Sequence, residues 1–249
     1  MKHPSGAALD LFFRQSEAWG VEVSGVQGEM LLAYARELSG YEKANVIGVK
    51  DIDAILLEHV LDSLSCFAYG PLRRAESLVD VGSGGGLPGV PIKILGDPMK
   101  VALVEATGKK AVFLRQVVER LDLDGIEVVN ARVENVGRDV AHRGVYDAAT
   151  VRAVSKLDVI LEYCVPLVKL GGSVICMKAD LAPTELSAGS RAAKKLGAKI
   201  QEVVEIPFVS GVPPKKRRLV VVRKLSKTPA KYPRITGVPG KTPLGVEKK

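Results

Sequence analysis

The stretch Asp80-Val-Gly-Ser-Gly-Gly-Gly-Leu-Pro-Gly89 sets five glycines behind an acid, where a β-branched run stops and helical spacing begins. Residues 78–81 read as a buried strand, and Pro88 suits the first position of a following helix. Glycines permit a tight turn and let a ligand approach the backbone closely. The helix N-terminus behind them offers free N–H groups and the positive end of a dipole. The spacing Gly84-x-Gly86-x-x-Gly89 fits a dinucleotide fingerprint, a weak match taken alone. Asp80 tilts the choice, because a carboxylate there repels a pyrophosphate and suits a methionine ammonium or a sulfonium. Glu105, ending the next strand, can accept hydrogen bonds from the ribose hydroxyls of either cofactor. The turn therefore favours S-adenosylmethionine, while a dinucleotide-dependent oxidoreductase stays open on these residues.

Outward from the turn the alternation continues. Residues 101–105, 126–130, 147–151, 173–178, 203–208 and 219–223 read as strands, and 90–95, 109–121, 156–168 and 183–196 keep helical spacing. Such alternation predicts an α/β fold with a mostly parallel sheet covered on both faces. The last two strands have no helix between them and are expected to pair antiparallel, which gives a Rossmann-like, seven-strand class I methyltransferase sheet. Residues 1–75 form an N-terminal helical extension, with apolar positions such as Leu31, Ala35 and Leu38, then Leu56, Val60 and Leu64, at helical spacing. The domain reading is thus a helical segment over 1–75, the cofactor-binding domain over 76–225, and a basic, Pro/Gly-rich extended arm over 226–249.

Charge is uneven. Residues 215–249 hold twelve Lys/Arg and one acid, a local +11 against a net +8, so the other 214 residues carry −3. A concentrated basic segment suits a polyanion, and it equally suits a solvated tail. No early apolar run resembles a leader, and Glu162, Pro166 and Lys169 interrupt the most apolar later stretch, so a cytoplasmic protein without a membrane span is expected. Cys66, Cys164 and Cys176 form no Cys-x-x-Cys and read as buried thiols. His3 and His142 have no ligand array around them, so no metal is expected.

The acceptor is narrowed by what is missing. Amine methylation of bases often uses an Asn/Asp-Pro-Pro-aromatic segment after the fourth strand, where this chain has Asp147-Ala-Ala-Thr-Val-Arg-Ala-Val154. Carbon methylation of pyrimidines needs a thiolate, and none of the cysteines has the usual setting. A ring nitrogen such as guanine N7 needs only alignment with the methyl donor. Arg152 and Lys178, at the ends of the fourth and fifth strands, are the catalytic candidates beside the acceptor. Arg152 could hold a phosphate or guanine O6, and a surface ion pair is the plain alternative. His59 and Asp62 fall on one helix face, as a catalytic pair or a structural one.

Further motifs run in order along nearly the whole chain: His59-Val-Leu-Asp-Ser63, the glycine turn through Pro91, Lys109-Lys-Ala-Val-Phe-Leu114, Ala131-Arg-Val-Glu134, Val151-Arg-Ala-Val154, Met177-Lys178, Arg218-Leu-Val-Val-Val222 and Tyr232-Pro-Arg234, with Pro239 and Pro243-Leu244. In these the chain resembles the bacterial small-subunit ribosomal RNA guanine-N7 methyltransferases, the RsmG (GidB) family. The resemblance implies S-adenosylmethionine as methyl donor and N7 of a guanine in 16S rRNA, free or in a small-subunit particle, as acceptor. By position it implies cofactor contacts at Gly82, Leu87, Glu105, Ala106, Thr107, Val133, Glu134 and Arg152, with Asp80 and Gly84 supporting the pocket. Lys215, Lys216, Arg217, Arg218 and Arg234 would meet rRNA phosphates, and Tyr232 would stack a base, though packing on the domain is the commoner fate of a lone tyrosine, in a protein expected to be monomeric. The chain departs from the family's pattern at Asn45-Val-Ile47, at Lys178-Ala179 and in having Glu105 for an Asp. A methyltransferase fold that only binds RNA is the rival reading.

Overall fold

The computed structural model describes residues 3–211 and 216–246. The chain begins with helices: α1 (Gly6–Ala18), α2 (Gly25–Gly40), and α3 (Ile52–Ile55), which runs through a π-helical turn (Leu56–Leu61) into α4 (Asp62–Leu64). Their starts have local causes. Ser5 accepts from the Ala8 N–H, Ser24 and Gln27 form a capping box, and Asp51 accepts from the Ala54 N–H, which satisfies donors that a helix start leaves open. Two 3-10 turns, Ser65–Ala68 and Gly70–Arg74, lead to the sheet.

From there the chain alternates: β1 (Ser77–Val81), α5 (Gly89–Leu95), β2 (Lys100–Val104), α6 (Gly108–Arg120), β3 (Ile126–Val129), α7 (Val133–Val136), β4 (Tyr146–Arg152), α8 (Leu157–Cys164), β5 (Val168–Lys178), α9 (Pro183–Leu196), β6 (Ala198–Ile206) and β7 (Arg217–Lys224), with α10 (Val238–Lys241) near the end. The seven strands lie in the order β3-β2-β1-β4-β5-β7-β6, as expected for the class I methyltransferase sheet. β1 to β5 pair in parallel, and β7 is antiparallel to both β5 and β6. The order reverses beside β1 and β4, so the crevice beyond their carboxyl ends is where such a sheet takes a ligand.

Three boundaries differ from the sequence reading by four residues or more. β5 starts at Val168 rather than 173, because Gly171, at φ +72°, helps the strand absorb a register shift opposite Tyr146 and Ala148. Helix α8 stops at Cys164 rather than 168, two residues short of Pro166, whose missing N–H suits no helix interior. Strand β6 starts at Ala198 rather than 203, because Gly197, at φ +81°, closes α9 and turns the chain at once onto β7.

Alternate residues of the strands feed two apolar layers. Leu78, Leu103, Met177, Leu219 and Val221 pack with Phe12, Tyr34, Leu38, Leu64 and Phe113. Val79, Val104, Val151, Cys176, Val220 and Val222 pack with Leu161, Ala192 and Leu196. The N-terminal helices are thus one cover of the sheet, and each fully buried Leu or Phe contributes about 1.5–3 kcal/mol. The last segment corrects the expectation of an extended arm. Tyr232 and Leu244 sit in the second apolar layer. Arg143 donates to the Thr228 and Tyr232 carbonyls, Arg138 to Pro233, Lys195 to Leu244 and Arg191 to Gly245. Those bonds lay the segment along the domain.

Candidate active site

The glycine turn divides its five glycines between two tasks. Gly85, Gly86 and Gly89 are pressed by the protein itself. A side chain at Gly85 would meet Leu38 at 2.9 Å, one at Gly86 would meet Val90 at 2.7 Å, and one at Gly89 would meet Leu103 at 2.4 Å. The close approach read from sequence as room for a ligand is, at these three, room for α2, α5 and β2. The Tyr34 hydroxyl donates to the Gly85 carbonyl at 2.6 Å, tying α2 to the turn. Gly82 and Gly84 remain on the open side, both in the left-handed region at φ +69° and +58°. A side chain at Gly84 would meet only the Gly82 carbonyl at 3.9 Å, and one at Gly82 only Val154 at 2.7 Å.

Two strand-end acids hold this turn. Asp80 is fully buried and accepts from the Gly89 N–H at 3.1 Å and the Thr150 hydroxyl at 3.0 Å. Burial pushes its carboxyl up to about 6, against hydrogen bonds from Ser83, Thr150 and Gly89 and the Arg152 charge that pull it down. Asp80 therefore braces β1, α5 and β4 from beneath, and its carboxylate does not face the crevice. Glu105 accepts from the Gly84 N–H at 2.9 Å and the Thr107 N–H at 2.6 Å.

A cavity of about 270 Å³ opens beside Glu105, lined among others by Gly82, Ala106, Val133, Glu134, Val154 and Tyr163. Five of the cofactor positions expected from sequence thus line one cavity: Gly82, Glu105, Ala106, Val133 and Glu134. Gly84 and Thr107 stand just outside and hold Glu105 through their amides. Leu87 is buried in the helical layer, and Arg152 lies elsewhere. Arg132, Tyr163 and Val154 were missed, and only the place of Val154 after β4 could have signalled it. The Glu134 carboxylate accepts from the Gly237 N–H at 2.9 Å, so the final segment buttresses this wall.

A second cavity, of about 450 Å³, is lined by Glu58, His59, Arg152, Ala153, Met177, Lys178, Ala179, Asp180 and Arg217. It brings together the two catalytic candidates, Arg152 and Lys178, from the ends of β4 and β5. Asp62, only 2% exposed, lies against it. Its carboxylate accepts from Arg217 Nε at 2.6 Å and Nη2 at 2.7 Å, and from Arg152 Nη1 at 3.2 Å. Lys178 pairs with Glu185 at 2.7 Å and donates to the Ser155 carbonyl at 3.2 Å. Residues 152–155 join the cavities, since Arg152 and Ala153 line one and Val154 and Ser155 the other. Ala153 turns there at φ +55°, a conformation that costs a residue with a Cβ about 1–3 kcal/mol and marks functional turns.

The remaining sequence candidates fall apart. Tyr232 is 8% exposed and packed in the apolar layer, so its expected stacking on a base is corrected. Arg234 is likewise corrected as an RNA contact, because it donates to Glu162 and to the Thr242 carbonyl. Arg218 pairs with Glu205 at 3.0 Å on the β6–β7 hairpin, Lys216 is exposed, and Lys215 lies outside the described residues. Burial pushes the thiols of Cys66, Cys164 and Cys176 up, the last to about 12, so none is a thiolate nucleophile. Among the described residues no group of three or more His, Cys, Asp or Glu could hold a metal ion, and no helix is long and apolar enough to cross a membrane.

Comparison with known proteins agrees with this geometry. A family model described as rRNA small subunit methyltransferase G matches residues 27–211. The ribosomal RNA small subunit methyltransferase G of Rubrobacter xylanophilus is 51% identical over 97% of this chain and 93% of its own. That of a Roseiflexus species is 40% identical over 95% of this chain and 100% of its own. Among solved structures, the branched-chain polyamine synthase from Thermus thermophilus, in complex with N4-aminopropylspermidine and 5′-methylthioadenosine, has a TM-score of 0.61 at 16% identity, covering 88% of this chain and 69% of that one. A cofactor-bound protein from MTB has a TM-score of 0.55 at 15% identity, covering 90% of this chain and 100% of that one. These two bear on the fold, the first two on descent, and the oxidoreductase reading falls with them. By the family match and by identity over nearly its full length, the chain belongs to the family of ribosomal RNA small subunit methyltransferase G.

Proposed function

We propose that this S-adenosylmethionine-dependent rRNA methyltransferase transfers its methyl group to N7 of a guanine in 16S rRNA, with the donor in the Glu105 cavity and the base in the Arg152 cavity. The observation that carries this reading is that the consecutive residues 152–155 line both cavities, two in each. Glu105 holds the donor's ribose, Val133 and Glu134 flank its adenine, and the Gly82–Gly84 turn takes its methionine end. The fit rests on the two glycines left open toward the cavity and on a carboxylate already fixed by two backbone amides. Bound there, S-adenosylmethionine supplies an electrophilic methyl carbon on a sulfonium.

Guanine N7 presents an unprotonated lone pair, so the chemistry asks for alignment rather than a base. The N7–methyl bond forms as the methyl–sulfur bond breaks, the electron pair stays on sulfur, and the positive charge passes to the purine. No proton moves. Arg152 and Lys178 stand at the base as donors to its O6 or to a flanking phosphate, because a donor on N7 would block transfer. The three thiols, all pushed up by burial, take no part in this chemistry. Lys216 and Arg218 meet RNA phosphates at the hairpin, and Lys215, outside the described residues, is assigned the same partner. The reading takes the protein to act as a monomer in the cytoplasm. Tritiated methyl transfer to small-subunit RNA, with the nucleoside identified by mass spectrometry, is the test. The expected product is 7-methylguanosine; methyl on an exocyclic amine or a pyrimidine carbon would overturn the N7 reading.

A further inference from the structure

The pair of arginines on Asp62 asks for an explanation that N7 transfer alone does not give. Asp62 is buried, sits where the π-helical turn passes into α4, and belongs to the motif His59-Val-Leu-Asp-Ser63. π-Helical turns concentrate at functional sites. Its partners come from 90 and 155 residues further along, at the end of β4 and the start of β7. Arg217 is held bidentately, which fixes the plane of its guanidinium. Arg152 is held by one nitrogen.

One carboxylate between two guanidiniums leaves an excess positive charge in a largely buried place. Buried charge is stable only when paired and fully hydrogen-bonded. Among the described residues, Arg152 Nε and Nη2 and Arg217 Nη1 donate to no protein acceptor, and both side chains line the larger cavity. Lys178, the third cation of that cavity, is already paired with Glu185. Glu58 and Asp180 also line it, so the cavity as a whole does not attract every polyanion. An anion must reach the free guanidinium edges themselves, and their orientation decides whether it can.

We propose that Asp62 is a positioning residue that locks Arg152 and Arg217 into a clamp for one phosphodiester of the RNA, beside the nucleotide whose base enters the cavity. The inference rests on the assignment of that cavity to the acceptor. It commits the two arginines to backbone recognition, because two guanidinium edges held side by side match the several oxygens of a phosphate rather than one O6. Arginine forks suit phosphate oxygens, and such contacts set register without reading sequence.

The test measures the KM for small-subunit RNA, kcat, the S-adenosylmethionine Kd by calorimetry, and the salt dependence of RNA affinity by filter binding. For Asp62→Asn we expect the RNA KM to rise tenfold or more, kcat to change less than threefold, and the cofactor Kd to stay within twofold. The slope of log affinity against log salt should fall by about 0.7–0.9, the loss of one phosphate contact. Arg217→Gln should show the same pattern, and the double variant should be no more than twofold worse than either single one. A raised KM with an unchanged salt slope, additive losses, or a defect confined to cofactor affinity would overturn the clamp. If Asp62→Asn does not fold, Arg217→Gln carries the same readouts. An inactive wild type would count against N7 transfer and leave the clamp to be judged on filter-binding affinity and slope.

Discussion

Two buried carboxylates hold arginines in this molecule, and they do so to opposite ends. Glu162 on α8 is fully buried and takes Arg234 at 2.6 Å, while the rest of that guanidinium donates to Thr242. Every part of that pair is used up inside the protein. Asp62 holds two arginines and leaves donors on both pointing into a cavity. The first arrangement is a seal that fastens the final segment over the second apolar layer. The second is a mount that keeps charge at a mouth. Burial of an ion pair therefore says little about function here; what matters is whether donors are left over.

The largest effect should come from breaking the seal. Glu162→Ala leaves the partly exposed Arg234 without its partner and is expected to cost about 3 kcal/mol, the low end for a broken buried pair, read as a lowered urea midpoint. A cost below 1 kcal/mol would mean that the segment is not fastened there. Next comes the sealed acid beneath the turn. Asp80 has its folded carboxyl raised to about 6, above its unfolded value, so it binds its proton more tightly when folded. Its ionised form therefore costs stability at neutral pH, and that cost is relieved as pH falls from above 6 toward 4. The wild type should gain on Asp80→Asn over that window, by at most about 3 kcal/mol. A stability difference that stays flat with pH would remove Asp80 from the sealed class.

On the open side the effects should fall on ligands and spare the fold. Glu105→Ala unties the Gly84 and Thr107 amides and should weaken S-adenosylmethionine by about 1.5–3 kcal/mol, the range for bonds to a charged group. RNA affinity should not change, and calorimetry beside filter binding separates the two. The smallest effect belongs to Lys216, exposed at the hairpin. Lys216→Ala should leave stability within about 0.5 kcal/mol and lower the RNA salt slope by less than one contact. A fall by a full contact, about 0.7–0.9 in slope, would place it against the RNA outright.

Much of the fold was legible because the strands alternate cleanly with helices and the glycine turn fixes one strand end. The errors sit where glycine acts through backbone angle: Gly171 and Gly197 lengthen strands in ways that side-chain periodicity does not record. In the site, Gly82, Glu105, Ala106, Val133 and Glu134 could be placed because they follow strand ends, where this sheet puts its crevice. Asp62 and Arg217 could not be joined, since nothing local links residues 155 apart. The final segment misled for another reason. Its lysines, prolines and glycines look solvated, and its two anchors in the apolar layer, Tyr232 and Leu244, are too sparse to form a pattern.

The contact of Tyr34 with Gly85 has an evolutionary corollary. The first forty residues are fitted to the backbone of the turn, with Leu38 and Tyr34 occupying the space that absent side chains leave at Gly85 and Gly86. A turn borrowed from another enzyme of this architecture would collide with them, and a shortened chain starting at β1 would leave the turn bare. Helix α2 and the turn are therefore fitted to each other, and a side chain introduced at Gly85 or Gly86 would have to be answered by a smaller residue at Leu38 or Tyr34.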